Sequence, residues 1–281
     1  MPNLLIKDLR AIALGFSGGL HEWPSIPCPT CGRSGLTPVA DTFVEEEAER
    51  SKRWQVEYSG EWEPDWFYGG FHCVLRCSKG GCDLVRVVGK AGMDHLLDDQ
   101  GRWYGGWINL LTPSFFHPAL PLVQRREGIP RSVQDRIDAA SAVLWVDPSS
   151  AANRLRSAVE ALMDDQGIPR RWSSDKGPYD VNLHRRIENF KAAKTAYSDA
   201  ADAILAVKWI GNVGSHEDAL KISDVLDGAE ILDFALEEIY GTRDVVKKLA
   251  AEITARKGVP VGLIFSPVNS VDESIDLFEW P

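Results

Sequence analysis

Two closely spaced pairs of cysteines constrain this chain more than any other feature of its sequence. Cys28-Pro-Thr-Cys31-Gly forms a tight turn with two thiols, and Cys77-Ser-Lys-Gly-Gly-Cys82 forms a looser turn of the same kind. Two such turns can place four sulfurs at the corners of a tetrahedron, as in structural zinc sites. We therefore expect a structural Zn²⁺ bound by Cys28, Cys31, Cys77 and Cys82, with no coordination position left for water.

The fifth cysteine leaves alternatives open. Cys73 lies in an apolar stretch and is the spare thiol in this interpretation, but a site that uses His72 or Cys73 instead of Cys77 is a second ligand set. A third interpretation is that the cysteines are buried as small hydrophobic residues. An odd number of cysteines argues against a disulfide framework. The absence of a βαβ pattern around Cys28 argues against thioredoxin-like redox chemistry.

Short strands around the cysteines predict a small β-rich, zinc-ribbon-like domain. Trp54, Val56 and Tyr58 alternate with polar residues, which is the period of a strand. Two further apolar stretches predict strands over residues 71–75 and 84–88. We therefore expect an N-terminal segment over residues 1–20 and the β domain over residues 21–111.

Four prolines fall within residues 112–130, where few apolar positions are periodic. This composition predicts a stiff linker, or a strap that lies across the next domain. The final residues, 257–281, mix acidic and large apolar side chains. This acidic and apolar tail is predicted either to pack on its own chain or to bind a protein partner.

The sequence between the proline-rich segment and the tail has the period of helices. Five helices are predicted to begin near Ser132, Asp147, Leu183, Ser198 and Ser223, and a sixth over residues 242–255. Asp147 followed by Pro148 is a helix N-cap with proline at the first helical position. Helices joined by short links predict an antiparallel bundle over residues 131–256. The whole chain is thus predicted to be α+β, a zinc ribbon followed by an all-α bundle.

Composition and charge exclude some classes of function. The 281 residues carry a formal net charge of −10, which weakens any claim of broad, sequence-independent binding to duplex nucleic acid. The first twenty residues lack the pattern of a secretion signal, and no apolar stretch is long enough to span a membrane. We therefore expect a cytoplasmic protein that does not insert into membranes.

Polar residues recur where two bundle helices should be buried. Lys208, Asn212 and His216 are spaced four apart, and Arg156 and Glu160 have the same spacing on the second helix. If the two helices pack together, the five side chains form a polar site that binds a phosphate or performs acid–base chemistry, with His216 as the titrating group. The alternative is a closed polar network that only fixes the helix register.

Two glycines interrupt the helix that holds this site. Gly211 and Gly214 are poor helix residues. They indicate either the end of the helix or a point where another backbone or a ligand comes close.

These motifs resemble those of the family named domain of unknown function 4145. The resemblance covers roughly residues 25–240. It depends on the pairs Ile129-Pro130, Arg156-x3-Glu160 and Leu183-x3-Ile187, on Gly211-Asn212-x3-His216, and on the preceding cysteine region. The family is found in bacterial proteins, alone or attached to restriction-enzyme subunits, and is similar to the HEPN helical superfamily.

The resemblance implies a HEPN-like bundle and a homodimer. Many HEPN proteins are metal-independent ribonucleases of toxin and defence systems, and they use an Arg-x4–6-His motif for attack by the ribose 2′-hydroxyl. Here Lys208 stands in place of the arginine, and seven residues separate it from His216. Lysine cannot make the two-pronged phosphate contact of arginine. Arg156, from a neighbouring helix, is the candidate that would replace it.

Two functional hypotheses follow. In the first, the protein is a nucleic-acid-linked accessory or effector protein of a bacterial defence system, with RNA as its partner and a degenerate ribonuclease site. In the second, it is a non-catalytic interaction or dimerisation module with a structural zinc, whose bundle and tail contact a partner protein or another copy of the chain.

Overall fold

The computed structural model describes residues 4–17, 19–24, 26–32, 34–98, 100–213, 220–241 and 250–255. Residues 1–240 form one compact unit, and residues 241–281 form a second. In the second unit, residues 250–255 are helical, inside the predicted sixth helix. The predicted tail, residues 257–281, lies outside the described residues. Among the described helices, none combines the length and apolar character that a membrane span requires.

The first unit contains an antiparallel sheet followed by helices, which confirms the predicted α+β class. Its helices are α1 Leu4–Ala13, α2 Glu49–Glu57, α3 Arg131–Val143, α4 Pro148–Asp165, α5 Leu183–Ala193, α6 Ser198–Val213 and α7 Ile222–Tyr240. Its strands are β1 Phe16–Ser17, β2 Ile26–Pro27, β3 Gly35–Pro38, β4 Val44–Glu47, β5 Tyr68–Cys77, β6 Val85–Leu97, β7 Trp103–His117, β8 Arg171–Ser174 and β9 Gly177–Asp180.

The main sheet is built around β5 and β6. The strand order is β1-β7-β6-β5-β3-β2, and β4 also pairs with β5. Side chains of β5 alternate between buried and less buried, so one face of the sheet faces the core. Gly89 of β6 lies opposite Phe71, where an added Cβ would be 2.3 Å from the ring and 2.5 Å from the carbonyl oxygen of Thr112. No larger residue fits this position without displacing the ring or a neighbouring strand.

The strand predicted through Trp54, Val56 and Tyr58 is wrong, because this segment forms α2. Alternation over so few residues is weak evidence for a strand when the segment is not half-buried, and Val56 is exposed. The helix instead buries Ser51, whose hydroxyl donates to Glu47 and accepts from the backbone N–H of Tyr68. These bonds hold a mostly polar helix against the edge of the sheet.

The helices of the bundle begin close to the predicted positions. At the start of α4, the Asp147 carboxylate accepts a 2.9 Å bond from the N–H of Ser150, as the capping prediction requires. Asn182 caps α5 in the same way, by accepting from the N–H of Arg185. The link between α4 and α5 differs from prediction, since it contains the hairpin β8–β9.

Helix α1 belongs to the core, although the sequence prediction treated residues 1–20 only as an N-terminal segment. Ile6, Leu9 and Ile12 are fully buried, and the helix packs against α7, β2 and β7. Arg10 pairs with Asp227 and Glu230 of α7.

The proline-rich segment also differs from the predicted linker. Its first part, as far as His117, continues β7 within the sheet. The remainder lies as a strap on the helices, with Leu120, Leu122 and Val123 buried. The N–H of Leu122 donates to Ser141 of α3. The strap is further fastened to α7 by Arg126, which pairs with the carboxylates of Asp233 and Glu237. Of the two predicted forms, only the strap is found.

Candidate functional site

The four cysteines of the predicted metal site are brought together by strand pairing. Cys28 and Cys31 flank a turn between β2 and β3, closed by a 2.8 Å bond from the N–H of Gly32 to the carbonyl of Cys28. Gly32 has a φ of +62°, which glycine adopts without strain. Leu36 of β3 pairs with Cys77 at the end of β5, so the first turn lies beside the second.

The sulfur positions suit a tetrahedral metal ion. One sulfur atom from each of Cys28, Cys31, Cys77 and Cys82 lies within 4.8 Å of the other three. The Cys31 and Cys77 sulfurs are 3.8 Å apart. A tetrahedral site with Zn–S bonds of about 2.3 Å has sulfurs about 3.8 Å apart. The predicted group of four cysteines is confirmed as a possible metal site, and the identity of its metal stays a prediction.

The thiols of this cluster need a cation to become thiolates together. Burial and the neighbouring sulfurs of Cys77, Cys31 and Cys28 raise the pKa of Cys82 to about 12. Without a cation, four thiolates in so small a space repel one another. A bound divalent metal lowers thiol pKa values and makes the deprotonated form the stable one. The cluster is therefore suited to hold a thiophilic cation.

The two alternative ligands lie outside the cluster. Cys73 is buried on β5, and burial raises its pKa to about 11. It shares a face of the strand with Cys77, but residues four apart on a strand are separated by about 13 Å. His72 is exposed, on the opposite side of the strand from Cys73. Neither residue is a member of the described group of close sulfurs.

In the bundle, α4 and α6 come into close contact at Gly211. A Cβ placed on Gly211 would lie 2.5 Å from the Cβ of Arg156 and 3.0 Å from the carbonyl oxygen of Ala152. The prediction that a neighbouring backbone comes close at a glycine of this motif is therefore confirmed for Gly211. Gly214 lies outside the described residues. The contact places Arg156 directly against the helix that holds the Gly-Asn motif.

Positive charge is concentrated around this contact. A guanidinium nitrogen of Arg156 lies 3.4 Å from a carboxylate oxygen of Glu160, and both side chains are about one-third exposed. The Nε of Arg156 is buried without a partner among the described residues. Lys208 is 7% exposed, and burial together with the charge of Arg156 lowers its pKa. Glu160 is the carboxylate paired with Arg156, whereas Lys208 forms no ion pair with any described residue.

The structure brings together only part of the predicted five-residue site. Arg156 lies against Gly211 of α6 and close enough to Lys208 for their charges to interact, and Glu160 pairs with Arg156 on α4. Asn212 is half-buried one turn after Lys208 on α6. His216 falls in residues 214–219, outside the described residues. Its convergence with Arg156 stays a prediction.

Trp209, beside Lys208, and His184, near Trp209, were not among the predicted site residues. The ammonium of Lys208 lies 3.2 Å from the ring centroid of Trp209, a residue that is 55% exposed. The ring of His184 on α5 lies 6.2 Å from that of Trp209. A tryptophan adjacent to the lysine was visible in the sequence, but its exposure depends on how α6 packs. Nothing in the helical period indicated His184.

Two family models match separate parts of the chain. Residues 138–256 match the family described as a domain of unknown function, DUF4145. Residues 18–116 match a second domain of unknown function, DUF8608. The helical region is similar to DUF4145. The DUF8608 match contains all four clustered cysteines, and neither match covers half of the chain. No curated protein and no solved structure shows significant similarity to the chain.

Proposed function

We propose that this protein binds RNA at the α4–α6 contact and acts as an effector or accessory protein of a bacterial defence system. The observation that supports the proposal is the pair of cations, Arg156 and Lys208, at one helix contact. Glu160 pairs with Arg156, and Lys208 has no ion pair among the described residues. In a chain with a net charge of −10, such local positive charge indicates an anionic ligand.

A phosphate of the RNA backbone would supply the missing negative charge. The guanidinium of Arg156 can donate two parallel bonds to phosphate oxygens, and Lys208 can add a point charge. Trp209 is exposed beside Lys208 and offers a ring on which a base can stack. Cations next to an exposed aromatic ring are typical of sites for single-stranded nucleic acid.

The enzymatic form of the proposal is metal-independent cleavage of RNA. The ribose 2′-hydroxyl attacks the adjacent phosphate, while His216 acts as the acid or base that transfers the proton. The bond to the 5′ oxygen breaks, which leaves a 2′,3′-cyclic phosphate and a free 5′-hydroxyl. Arg156 and Lys208 stabilise the charge on the phosphate, Glu160 orients Arg156, and Asn212 is available as a hydrogen-bond donor.

An RNA cleavage assay tests the enzymatic form. Wild type and His216→Ala are incubated with single-stranded RNA in EDTA, and the products are tested for a cyclic phosphate. We expect cleavage by the wild type, reduced at least a hundredfold in His216→Ala, because general acid–base catalysis contributes about 10²–10⁴. Equal rates, or no cleavage by the wild type, would remove catalysis from the proposal.

RNA binding is tested separately, by fluorescence anisotropy over a series of salt concentrations. Arg156→Gln and Lys208→Met should each weaken binding, and each should flatten the slope of log K against log salt by about 0.7 per lost phosphate contact. Lys191→Met is the matched control, because Lys191 is an exposed lysine of α5 that pairs with Asp202. A control that weakens binding as much as the two site variants would contradict the proposed site.

We propose that the metal of the cysteine cluster is Zn²⁺, in a structural role. The proposal is supported by four sulfur donors, since soft thiolates select zinc over harder divalent ions. Metal analysis of the purified protein should give about one zinc per chain, and Cys31→Ser should lose it. A chain that is folded and free of metal would contradict this assignment.

A non-catalytic dimerisation module is the second candidate function. It is favoured by two exposed apolar residues on α6, Trp209 at 55% and Val213 at 41%. They are four apart and therefore share a face of the helix. Sedimentation should then show a homodimer in the wild type and a monomer in Val213→Asp. RNA binding that survives in a monomeric Val213→Asp variant would separate the two functions.

A further inference from the structure

A second group of arginines lies in a groove between α3 and α4, away from the polar site. The groove has a volume of about 380 Å³, which is within the range of small-molecule sites. Its lining consists of Ser132, Asp135, Arg136, Ala139, Arg154 and Ser157. Arg154 and Arg156 are two apart on α4 and therefore project about 200° apart around its axis. The groove is thus separate from the RNA site proposed above.

The two arginines of the groove differ from the other arginines of the helical region. Among the described residues from 118 to 213, every other arginine lies within 4 Å of a carboxylate. These are Arg125, Arg126, Arg131, Arg156, Arg170, Arg171, Arg185 and Arg186. Arg136 and Arg154 form no ion pair with any described residue, although the chain is acidic overall.

The other groups of the groove do not neutralise these two charges. Asp135 is the acidic residue of the lining, and its carboxylate lies 3.8 Å from Arg131 outside the groove. The hydroxyl of Ser157 donates to the carbonyl of Asn153, which leaves its oxygen as an acceptor. Ser132 lies in the first turn of α3, where the helix dipole adds further positive potential.

We propose that this groove binds a small phosphate monoester that also bears hydroxyl groups, such as a nucleoside monophosphate. The guanidinium groups of Arg136 and Arg154 and the hydroxyl of Ser132 bind the phosphate, whose charge of about −1.5 to −2 balances both arginines. Asp135 and Ser157 accept hydrogen bonds from the ligand's hydroxyl groups. Ala139 provides the apolar floor beneath the ligand.

Isothermal titration of the full chain with AMP and with adenosine tests the proposal. AMP should bind at least tenfold more tightly than adenosine, because the phosphate makes the arginine contacts. Arg136→Gln and Arg154→Gln should each weaken AMP binding at least tenfold, and Arg154→Lys should weaken it less. Arg185→Gln, an exposed arginine on α5, is the matched control and should change binding less than twofold.

Two further experiments distinguish binding in this groove from binding at the RNA site, and binding of a small phosphate monoester from binding of a phosphorylated RNA end. Arg156→Gln should leave AMP binding unchanged, so failure of the RNA proposal leaves this one standing. A short RNA with and without a 5′ phosphate provides the second comparison. Equal binding of AMP and adenosine, no binding of AMP at millimolar concentration, or binding of the 5′-phosphorylated RNA alone would overturn the proposal. Circular dichroism controls for folding, and both arginine variants should give the wild-type spectrum.

Discussion

The cysteine cluster and the α4–α6 polar site each bring together side chains that would carry charges of the same sign. The two sites differ in the charge of the ligand that would balance them. In the first, four thiols face one another within 4.8 Å and become thiolates together only around a cation. In the second, Arg156 pairs with Glu160 while the neighbouring Lys208 has no ion pair among the described residues, so the site lacks negative charge. Ionisable side chains of one type that lie close together therefore indicate a ligand of the opposite charge.

The two sites also differ in how strongly they are tied to the fold. The cysteine turns are part of the sheet, because β3 and β5 pair directly beside them. The polar site lies on helices that are already packed through apolar residues such as Leu155 and Ile204. Loss of the metal should therefore affect folding, whereas loss of the cations should affect mainly binding.

The largest expected effect is that of removing the metal. Cys31→Ser should destabilise the sheet by several kcal/mol, because structural zinc sites contribute a large share of folding free energy. Tryptophan fluorescence should report loss of the sheet while far-UV circular dichroism retains most of the helical signal. Cys73→Ala is the control, since Cys73 is buried outside the cluster, and it should cost about 1 kcal/mol. Equal stability of Cys31→Ser and wild type would contradict the prediction.

A second prediction probes the contact that forms the polar site. Gly211→Ala should cost about 1–3 kcal/mol, because the new Cβ would lie 2.5 Å from the Cβ of Arg156. Gly228→Ala is the matched control on α7, where the nearest atom is the end of the Ile210 side chain at 3.3 Å. That change should be neutral or stabilising by up to about 1 kcal/mol, since alanine is the better helix former. Urea unfolding would distinguish the two variants, and equal costs would argue against close packing at Gly211.

A third prediction concerns the buried charge of Lys208. Lys208→Met should stabilise the protein by about 1 kcal/mol near neutral pH, because a buried cation beside Arg156 is removed. The pKa of Lys208 is lowered in the folded state, so the folded protein releases its proton at lower pH than the unfolded chain. The stability of the wild type should therefore rise relative to Lys208→Met once the pH passes the folded-state pKa, and level off above the unfolded-state value. Thermal unfolding from pH 7 to 11 measures this, and an advantage for Lys208→Met that grows with pH would contradict it.

The smallest expected effect on stability is that of Arg156→Gln. Its ion pair with Glu160 is partly exposed, so its loss should cost less than about 1 kcal/mol. Arg126→Gln provides the contrast, because it leaves the buried carboxylate of Asp233 without this arginine and should cost about 3–5 kcal/mol. Chemical unfolding compares the two, and a large loss in Arg156→Gln would favour a structural network over a binding site.

The parts of the fold that could be predicted are those with a local cause. The turn Cys28 to Cys31 has its own sequence pattern, and Asp147 caps α4 through a bond to the third residue after it. The group of four cysteines could be predicted as well, because ligand chemistry restricts which thiols can meet. Cys73 was separated from this group by its position within a strand, four residues before Cys77.

The parts that could not be predicted depend on distant partners. The strand expected around Val56 is a helix because Ser51 bonds to Glu47 and to the backbone of β5, which no local period reveals. The burial of α1 likewise depends on α7, more than 200 residues away. The exposure of Trp209, and the lack of an ion pair between Arg136 and any described residue, follow from how helices pack, so neither could be predicted from spacing.

The contact of α1 with α7 has a consequence for synthesis on the ribosome. Ile6, Leu9 and Ile12 leave the exit tunnel well before α7, which helps to cover them and follows about 200 residues later. Until then these three side chains are exposed on the nascent chain and can be bound by a chaperone. The compact unit therefore closes late, when its two ends meet.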